Sequence, residues 1–320
     1  MWFNILTHNH NKPNTLILDY LRFSLASCGH EVTVTEKNIH SRAINIYIEN
    51  FMGIEPWNLY LSKLLGDGIT LGLVNTELIT KQGIPYGKYG IPYAEETLKI
   101  RENTLFELAP KFDFVWNFME RMNEIMKPIA KFSAYYPYGC IDIENDFKTR
   151  SPKDLDVLFF GKLTPHREQI IKNIIDQGIK IVCVGSGFPM GVVHNSVLNS
   201  LIDRSKIVLN LTLHEKEDTL ASIDPRFTSA ERVARTLERR VLVISEKIPN
   251  DNPYAPYMIS VQVENIASAC KAYLEGNNWR IAGTHNALEF STKMQASKIC
   301  DPVVQQTIKH LAKIGKIPFS

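Results

Sequence analysis

No CxxC pair interrupts this sequence, and its five cysteines (Cys28, Cys140, Cys183, Cys270, Cys300) are scattered with no histidine at ligand spacing. That pattern excludes a zinc ribbon or a disulfide framework and points to reduced thiols, with Cys183 most simply a strand residue. No apolar run reaches the roughly 18 residues that a membrane span needs. The opening stretch MWFNILTHNHN lacks the basic n-region and long apolar core of a secretory signal. Charge of one sign is missing too: 36 Lys and Arg face 34 Asp and Glu, a formal +2. No long-range field therefore selects nucleic acid or an anionic membrane. Neither GxxxxGK[ST] nor GxGxxG occurs. No convincing DxD motif offers itself to a metal either, and the DID-like fragment at Ile141–Ile143 holds one aspartate. The expectation is a cytoplasmic protein with no resident metal.

What is present is a chain of 320 residues, 44% hydrophobic and 22% charged, long enough for two cores. Strand 3–7 leads through a polar turn into the amphipathic helix TLILDYLRFSLASC, closed by Gly29 and followed by the alternating strand EVTVTE. INIYIENF, ITLGLVNTELI and FDFVWNF read as further strands. Helices are expected at PWNLYLSKLLGDG, 95–109 and 120–131, and SAYYPYG completes this half. A Gly/Pro/Tyr-rich loop over 82–93, with Tyr86, Tyr89 and Tyr93, breaks the rhythm. Residues 143–154 are polar and unpatterned, as a linker would be. The alternation then restarts: DVLFFG, PHREQIIKNIIDQ, KIVCVG, NSVLNSLIDR, KIVLNL, a helix over 229–239, VLVIS, MISVQV and a helix from near Glu264. Strands alternating with helices of this length imply parallel sheets covered on both faces. The predicted fold class is α/β, with two Rossmann-like domains, 1–142 and 155–290, facing a cleft. A helical segment at 291–320 can pack back on the first domain.

The second half opens with the most informative stretch, DVLFFGKLTPHREQII. Thr164 suits an N-cap and Pro165 the first helical position, so a helix starts there and Gly178 ends it. Its N-terminus falls at the carboxyl edge of a strand, where ligands bind in open α/β sheets. Lys162 and Arg167 add positive charge. Two readings stand at this point: an ordinary βα turn, or a turn shaped for an anion such as phosphate. A second glycine loop, GSGFPMG, follows the next strand and can bring Gly185, Ser186 and Gly187 close to a nucleotide, or be a simple tight turn. Glu231 starts a third helix, as a dipole partner or as a carboxylate for ribose hydroxyls, and Arg226 just before it can meet phosphate. Arg232, Arg235, Arg239 and Arg240 read as a solvated helix face.

These residues carry a resemblance. DVLFFGKLTPHREQII, KIVLNL with His214 just after it, and RFTSAERVARTLERRVLVISE resemble the GT-B fold glycosyltransferases. The similarity is greatest to the CgeB-like and other family-4-like group, and it covers about 150–250. It implies a nucleotide-diphosphate-sugar donor on the C-terminal domain, an acceptor (glycan, protein or small molecule) on the N-terminal one, and no cofactor beyond that donor. By position, Gly161, Lys162 and Arg167 would lie near the diphosphate and Gly185, Ser186 and Gly187 near the base. Asn210, His214, Arg226 and Glu231 would line the donor site. The chain departs from the family where Glu231 and Glu238 stand one residue too close for the E-x7-E pair, and where Arg239-Arg240 replaces a small-residue turn.

In such enzymes helix dipoles and basic side chains, not a metal, stabilise the leaving diphosphate. The acceptor hydroxyl must also lose a proton. His8 and His10, at the carboxyl edge of the first strand, are candidate general bases, though an Asn-rich polar turn is the plainer reading. Glu77, like Glu49 and Asn50, ends a strand and can orient a sugar hydroxyl or cap a helix. The tyrosines of 82–93 can form an aromatic acceptor platform. A non-catalytic nucleotide-sugar-binding module and a sugar epimerase of the same shape remain alternatives to the transferase.

Overall fold

The computed structural model describes residues 1–7, 15–36, 38–49, 51, 61, 63–65, 68–76, 95–141, 152–212 and 230–317. The chain divides into two compact units, Met1–Ile141 with Ala296–Ser320, and Asp142–Gln295.

The first unit carries β1 (Trp2–Leu6), α1 (Thr15–Ser27), β2 (Glu31–Thr35), β3 (Ile44–Ile48), β4 (Leu71–Asn75), α2 (Glu95–Leu108), β5 (Phe114–Asn117), α3 (Glu120–Met126) and β6 (Ser133–Tyr135). Its six strands pair in the order β2-β1-β3-β4-β5-β6, every pairing parallel. β3, β4 and β5 are buried at every position, as strands covered on both faces must be. Aromatic rings fill the core, with Tyr20 stacked on Tyr138 at 4.0 Å and Trp116 on Tyr136 at 4.7 Å. α3 stops at Met126, short of the expected end at 131, because Pro128 follows at once and brings no N–H to continue the helix.

The second unit begins β7 (Leu155–Phe160), α4 (Pro165–Asp176), β8 (Ile181–Val184), α5 (Asn195–Arg204) and β9 (Ser205–Asn210). It continues α6 (Ala230–Leu237), β10 (Leu242–Glu246), β11 (Ile259–Val261), α7 (Ile266–Leu274) and α8 (Asn278–Lys293). These five strands are parallel in the order β11-β10-β9-β7-β8. Side chains alternate along β7. Val157 and Phe159 join one core with Ile170 and Ile174 of α4 and Ile266 and Cys270 of α7. Leu158 and Phe160 join the other with Leu201 and Ile202 of α5. α4 and α5 thus leave toward opposite faces, while β8 and β9 flank β7 on either side. The strand order reverses at β7, which opens a crevice outside its carboxyl end.

The expected helical stretch 291–320 breaks at Met294 and Gln295. Its first residues finish α8 in the second unit, and the chain then returns to the first with α9 (Ala296–Lys313). Cys300, Val304, Thr307 and Leu311 of α9 are fully buried. Trp116 Nε1 donates to Thr307 Oγ1 at 2.9 Å, and the His310 ring, stacked on Phe132, lies 3.0 Å from the Asp113 carbonyl oxygen. Among the described residues no helix is long and apolar enough to cross a membrane.

Candidate anion-binding site at the carboxyl edge of β7

The turn after β7 is built by local chemistry. Thr164 caps α4, its Oγ1 accepting from the Arg167 N–H at 3.4 Å, and Pro165 takes the first helical position. Gly178, at φ +77, follows the helix. The Gly161 turn lies flat against the second glycine loop. Gly161 N–H donates to the Val184 carbonyl at 2.9 Å and Leu163 N–H to Ser186 at 2.8 Å, which carries the β7–β8 ladder past the strand ends. A Cβ on Gly185 would stand 1.9 Å from the Gly161 oxygen, and one on Gly187 would stand 2.8 Å from Leu163 Cβ. Both glycines have positive φ, +131 and +90, so the close approach and the backbone conformation each require the missing side chain.

Two buried arginines meet at this turn. Arg167 donates through Nε to the Thr212 carbonyl, through Nη1 to Lys162 and through Nη2 to Leu211, each at 2.8 Å. Its guanidinium, expected beside a diphosphate, therefore ties the Gly161 turn to the chain leaving β9. Arg232, from α6, donates through Nε to the Phe160 carbonyl at 3.2 Å and through Nη1 to Asn210 Oδ1 at 3.0 Å. Its Nη2 has no hydrogen-bond partner among the described residues, and a Cβ on Gly161 would lie 3.1 Å from it. The Phe159 ring receives both cations, at 5.2 and 5.6 Å from its centroid. Burial pulls Arg167 down to about 9, Arg232 adding to the effect and Glu246 opposing it. Burial likewise pulls Arg232 down to about 10 against Glu231 and Glu246. Arginine stays protonated in practice, so these shifts mark cations that lack solvation and gain from an added anion.

Asn210 is buried between the strand ends, its Nδ2 donating to Ser245 Oγ at 3.0 Å while its Oδ1 holds Arg232. It orients the arginine. Glu231, in the first turn of α6, has Oε1 4.0 Å from Arg235 Nη1, and its side chain keeps 37% exposure. Loss of solvent raises its carboxyl above the ordinary value, with Arg235 and Arg232 pulling the other way. Arg232, Arg235 and Arg239 are not the solvated face that their spacing predicts, whereas Arg240 is exposed as expected. Arg235 is buried, with Nε 2.9 Å and Nη2 2.7 Å from Asn199 Oδ1, and Arg239 pairs with Asp203 at 2.6 Å. Their long stems reach acceptors on α5, which helical periodicity alone does not reveal.

One functional candidate escaped the sequence reading. Glu246, the last residue of β10, is fully buried, and its Oε1 accepts the Thr212 N–H at 2.8 Å while its Oε2 accepts the Thr212 hydroxyl at 2.9 Å. His166, in the first turn of α4, places Nε2 3.1 Å from both carboxylate oxygens. The signal was the acidic end of an otherwise apolar strand, VLVISE.

Gly161, Lys162, Gly185, Ser186, Gly187 and Asn210 lie in the turns and strand ends of this edge, and Arg167 and Glu231 in the first turns of α4 and α6. His214 and Arg226 lie outside the described residues, as do His8, His10, Glu77, Asn50 and the tyrosines of 82–93. In the first unit Glu49 is fully buried. Arg101 Nε and the Phe51 N–H donate to its Oε1 at 2.9 and 3.0 Å, which makes it a neutralised partner in the core. Among the described residues no group of three or more His, Cys, Asp or Glu is placed to hold a metal.

No family model and no curated protein matches the sequence. Solved structures do match in fold along nearly the whole chain. A trehalose-6-phosphate structure from E. coli bound with UDP-2-fluoro glucose gives a TM-score of 0.59 at 10% identity, over 96% of this chain and 99% of that one. WaaG, a glycosyltransferase involved in lipopolysaccharide biosynthesis, gives 0.53 at 10% identity, over 96% and 99%. AviGT4, a glycosyltransferase involved in avilamycin A biosynthesis, gives 0.52 at 10% identity, over 98% of both chains. The chain shares the two-unit, parallel-sheet α/β fold of GT-B glycosyltransferases.

Proposed function

We propose that the protein is a glycosyltransferase that moves a sugar from a nucleotide-diphosphate donor to an acceptor without a metal, in the manner of the CgeB-like and family-4-like enzymes and in the cytoplasm. One observation carries this reading: at the sheet's switch point, buried Arg232 presents an Nη2 with no hydrogen-bond partner among the described residues to a turn built on glycines. A diphosphate there would accept from Nη2 and from the His166 N–H in the first turn of α4, where Pro165 has none and the Arg167 N–H already meets Thr164. Arg167 and Asn210 hold the turn and the arginine in place, while Lys162, His214 and Arg226 complete the positive lining. Gly185, Ser186 and Gly187 receive the base, and Glu231 the ribose hydroxyls. As the bond from the anomeric carbon to the diphosphate oxygen breaks, the fixed cations stabilise the charge gathering on the leaving group. His8, His10 and Glu77, on the first unit, are the candidates to accept the acceptor's hydroxyl proton and to orient it.

Incubation with a panel of nucleotide sugars, with nucleotide release followed in the presence and absence of EDTA, tests the reading. Release that needs an acceptor and ignores EDTA is the expected result. Release without an acceptor would indicate an epimerase or hydrolase, and binding without release a non-catalytic module. Arg232→Leu removes a charged donor worth about 1.5–3 kcal/mol, so the nucleotide should bind roughly ten- to a hundredfold more weakly by calorimetry. Arg232→Lys, which keeps the charge and loses the fork, should fall between.

A further inference from the structure

The His166–Glu246 contact has no part in the reading above, yet its geometry determines what the ring can do. Glu246 accepts from Thr212 at both oxygens and from His166 Nε2, whose side chain keeps only 9% exposure. A carboxylate only accepts, so Nε2 must carry a hydrogen. The other nitrogen then has two states: Nδ1 accepts in the neutral ring and donates in the cation. Among the described residues Nδ1 has no hydrogen-bond partner, and the ring sits in the α4 turn that opens on the crevice.

The charges around the ring come from every element packed there. Among the described residues β10 supplies Glu246, and the chain just after β9 the neutral Thr212. On its own helix Arg167 is turned onto backbone carbonyls, and Lys162 stands in the turn before it. Arg232 comes from α6, and both it and Arg167 already share the Glu246 carboxylate electrostatically. One carboxylate thus serves two permanent cations. The ring shares that same carboxylate through Nε2, and an entering anion brings a second counterion to its Nδ1 side.

We infer that His166 is the proton-carrying residue of this anion site: the ring takes up a proton as a diphosphate arrives, and its Nδ1–H donates to a phosphate oxygen while Glu246 holds Nε2–H. The inference rests on the diphosphate reading. During transfer the bond from the anomeric carbon to the diphosphate oxygen breaks and leaves its electron pair on that oxygen. The acceptor oxygen bonds the anomeric carbon, and the acceptor's proton passes to a base of the first unit or to water. The nucleoside diphosphate therefore leaves one negative charge richer than it arrived. His166 stabilises that added charge and keeps its own proton, so no covalent step passes through the ring. A neutral ring would offer the anion a lone pair instead.

Inorganic pyrophosphate, which needs the anion site and no base pocket, is the probe. Its affinity is measured by calorimetry over roughly pH 5.5–8.5, spanning the ordinary histidine range, in two buffers of different ionisation heat. Wild type should lose affinity with rising pH more steeply than His166→Gln, by up to about tenfold per pH unit, the limit for one linked proton. It should also take up more protons on binding. The titration of pyrophosphate itself is common to both proteins and cancels in the comparison. His166→Arg, with a fixed charge, should bind without the extra slope, which keeps the test decisive if the glutamine variant unfolds. Glu246→Gln should move the steep region to lower pH. Parallel curves and equal proton uptake in wild type and both His166 variants would overturn the role of His166 and leave the anion site standing. No pyrophosphate binding by wild type would overturn the diphosphate reading and this inference together.

Discussion

A chain cut after Gln295 should fail to hold a folded first unit while keeping the second. α9 closes the core of the first unit across nearly three hundred residues of sequence, through Cys300, Val304 and Leu311, all fully buried. Each such side chain contributes about 1.5–3 kcal/mol on burial. Their removal would also bare the faces of Tyr20 and Trp116, leaving Trp116 Nε1 without Thr307 and the Tyr20 hydroxyl without its Cys300 contact at 3.3 Å. The total approaches the roughly 5–15 kcal/mol by which a whole domain is stable. Limited proteolysis should degrade the first unit of the shortened chain and spare a fragment beginning near residue 152. Equal resistance of both units would show that α9 is dispensable.

The second large effect is expected at Gly185→Ala. The added carbon would stand 1.9 Å from the Gly161 carbonyl oxygen, on a backbone at φ +131 that side chains rarely adopt. Both partners are backbone, so no rotamer change relieves the clash. The two turns must separate, and the bonds Gly161 N–H to Val184 and Leu163 N–H to Ser186 go with them. A loss of about 3–5 kcal/mol in the stability of the second unit is expected from strain of this kind with broken backbone pairing. Denaturant melts should show it, and the melts should also show pyrophosphate no longer stabilising the unit. Gly191→Ala is the control: it has φ +61 and nothing within 4 Å of a Cβ, so only the backbone strain applies there.

The parts of this molecule that local chemistry decides were legible in the sequence. Thr164, Pro165 and Gly178 announce one helix, and the strand–helix alternation announces two parallel sheets. The switch at β7 follows from neither. It depends on which strands pair, and no single stretch records that. The burial of Arg232 and Arg235 was illegible for a related reason, because a run of arginines at helical spacing looks the same whether water or α5 lies over it. Arg167 was visible as a charge at the turn after β7, but that its nitrogens face inward to carbonyls of the chain after β9 was not, because no local pattern records which carbonyls lie beneath it. Glu246 was visible but unremarkable, since a strand may end on glutamate for many reasons until His166 is found against it. The stop of α3 was legible in Pro128, which a reading of periodicity alone passes over.

The return of α9 to the first unit also bears on how the protein is made. Domains ordinarily fold in the order in which they emerge from the ribosome. Here the second unit has all its strands and helices in hand by Gln295, while the first still waits for the helix that seals it. The half synthesised first is therefore completed last, and part of its aromatic core stays uncovered until α9 arrives.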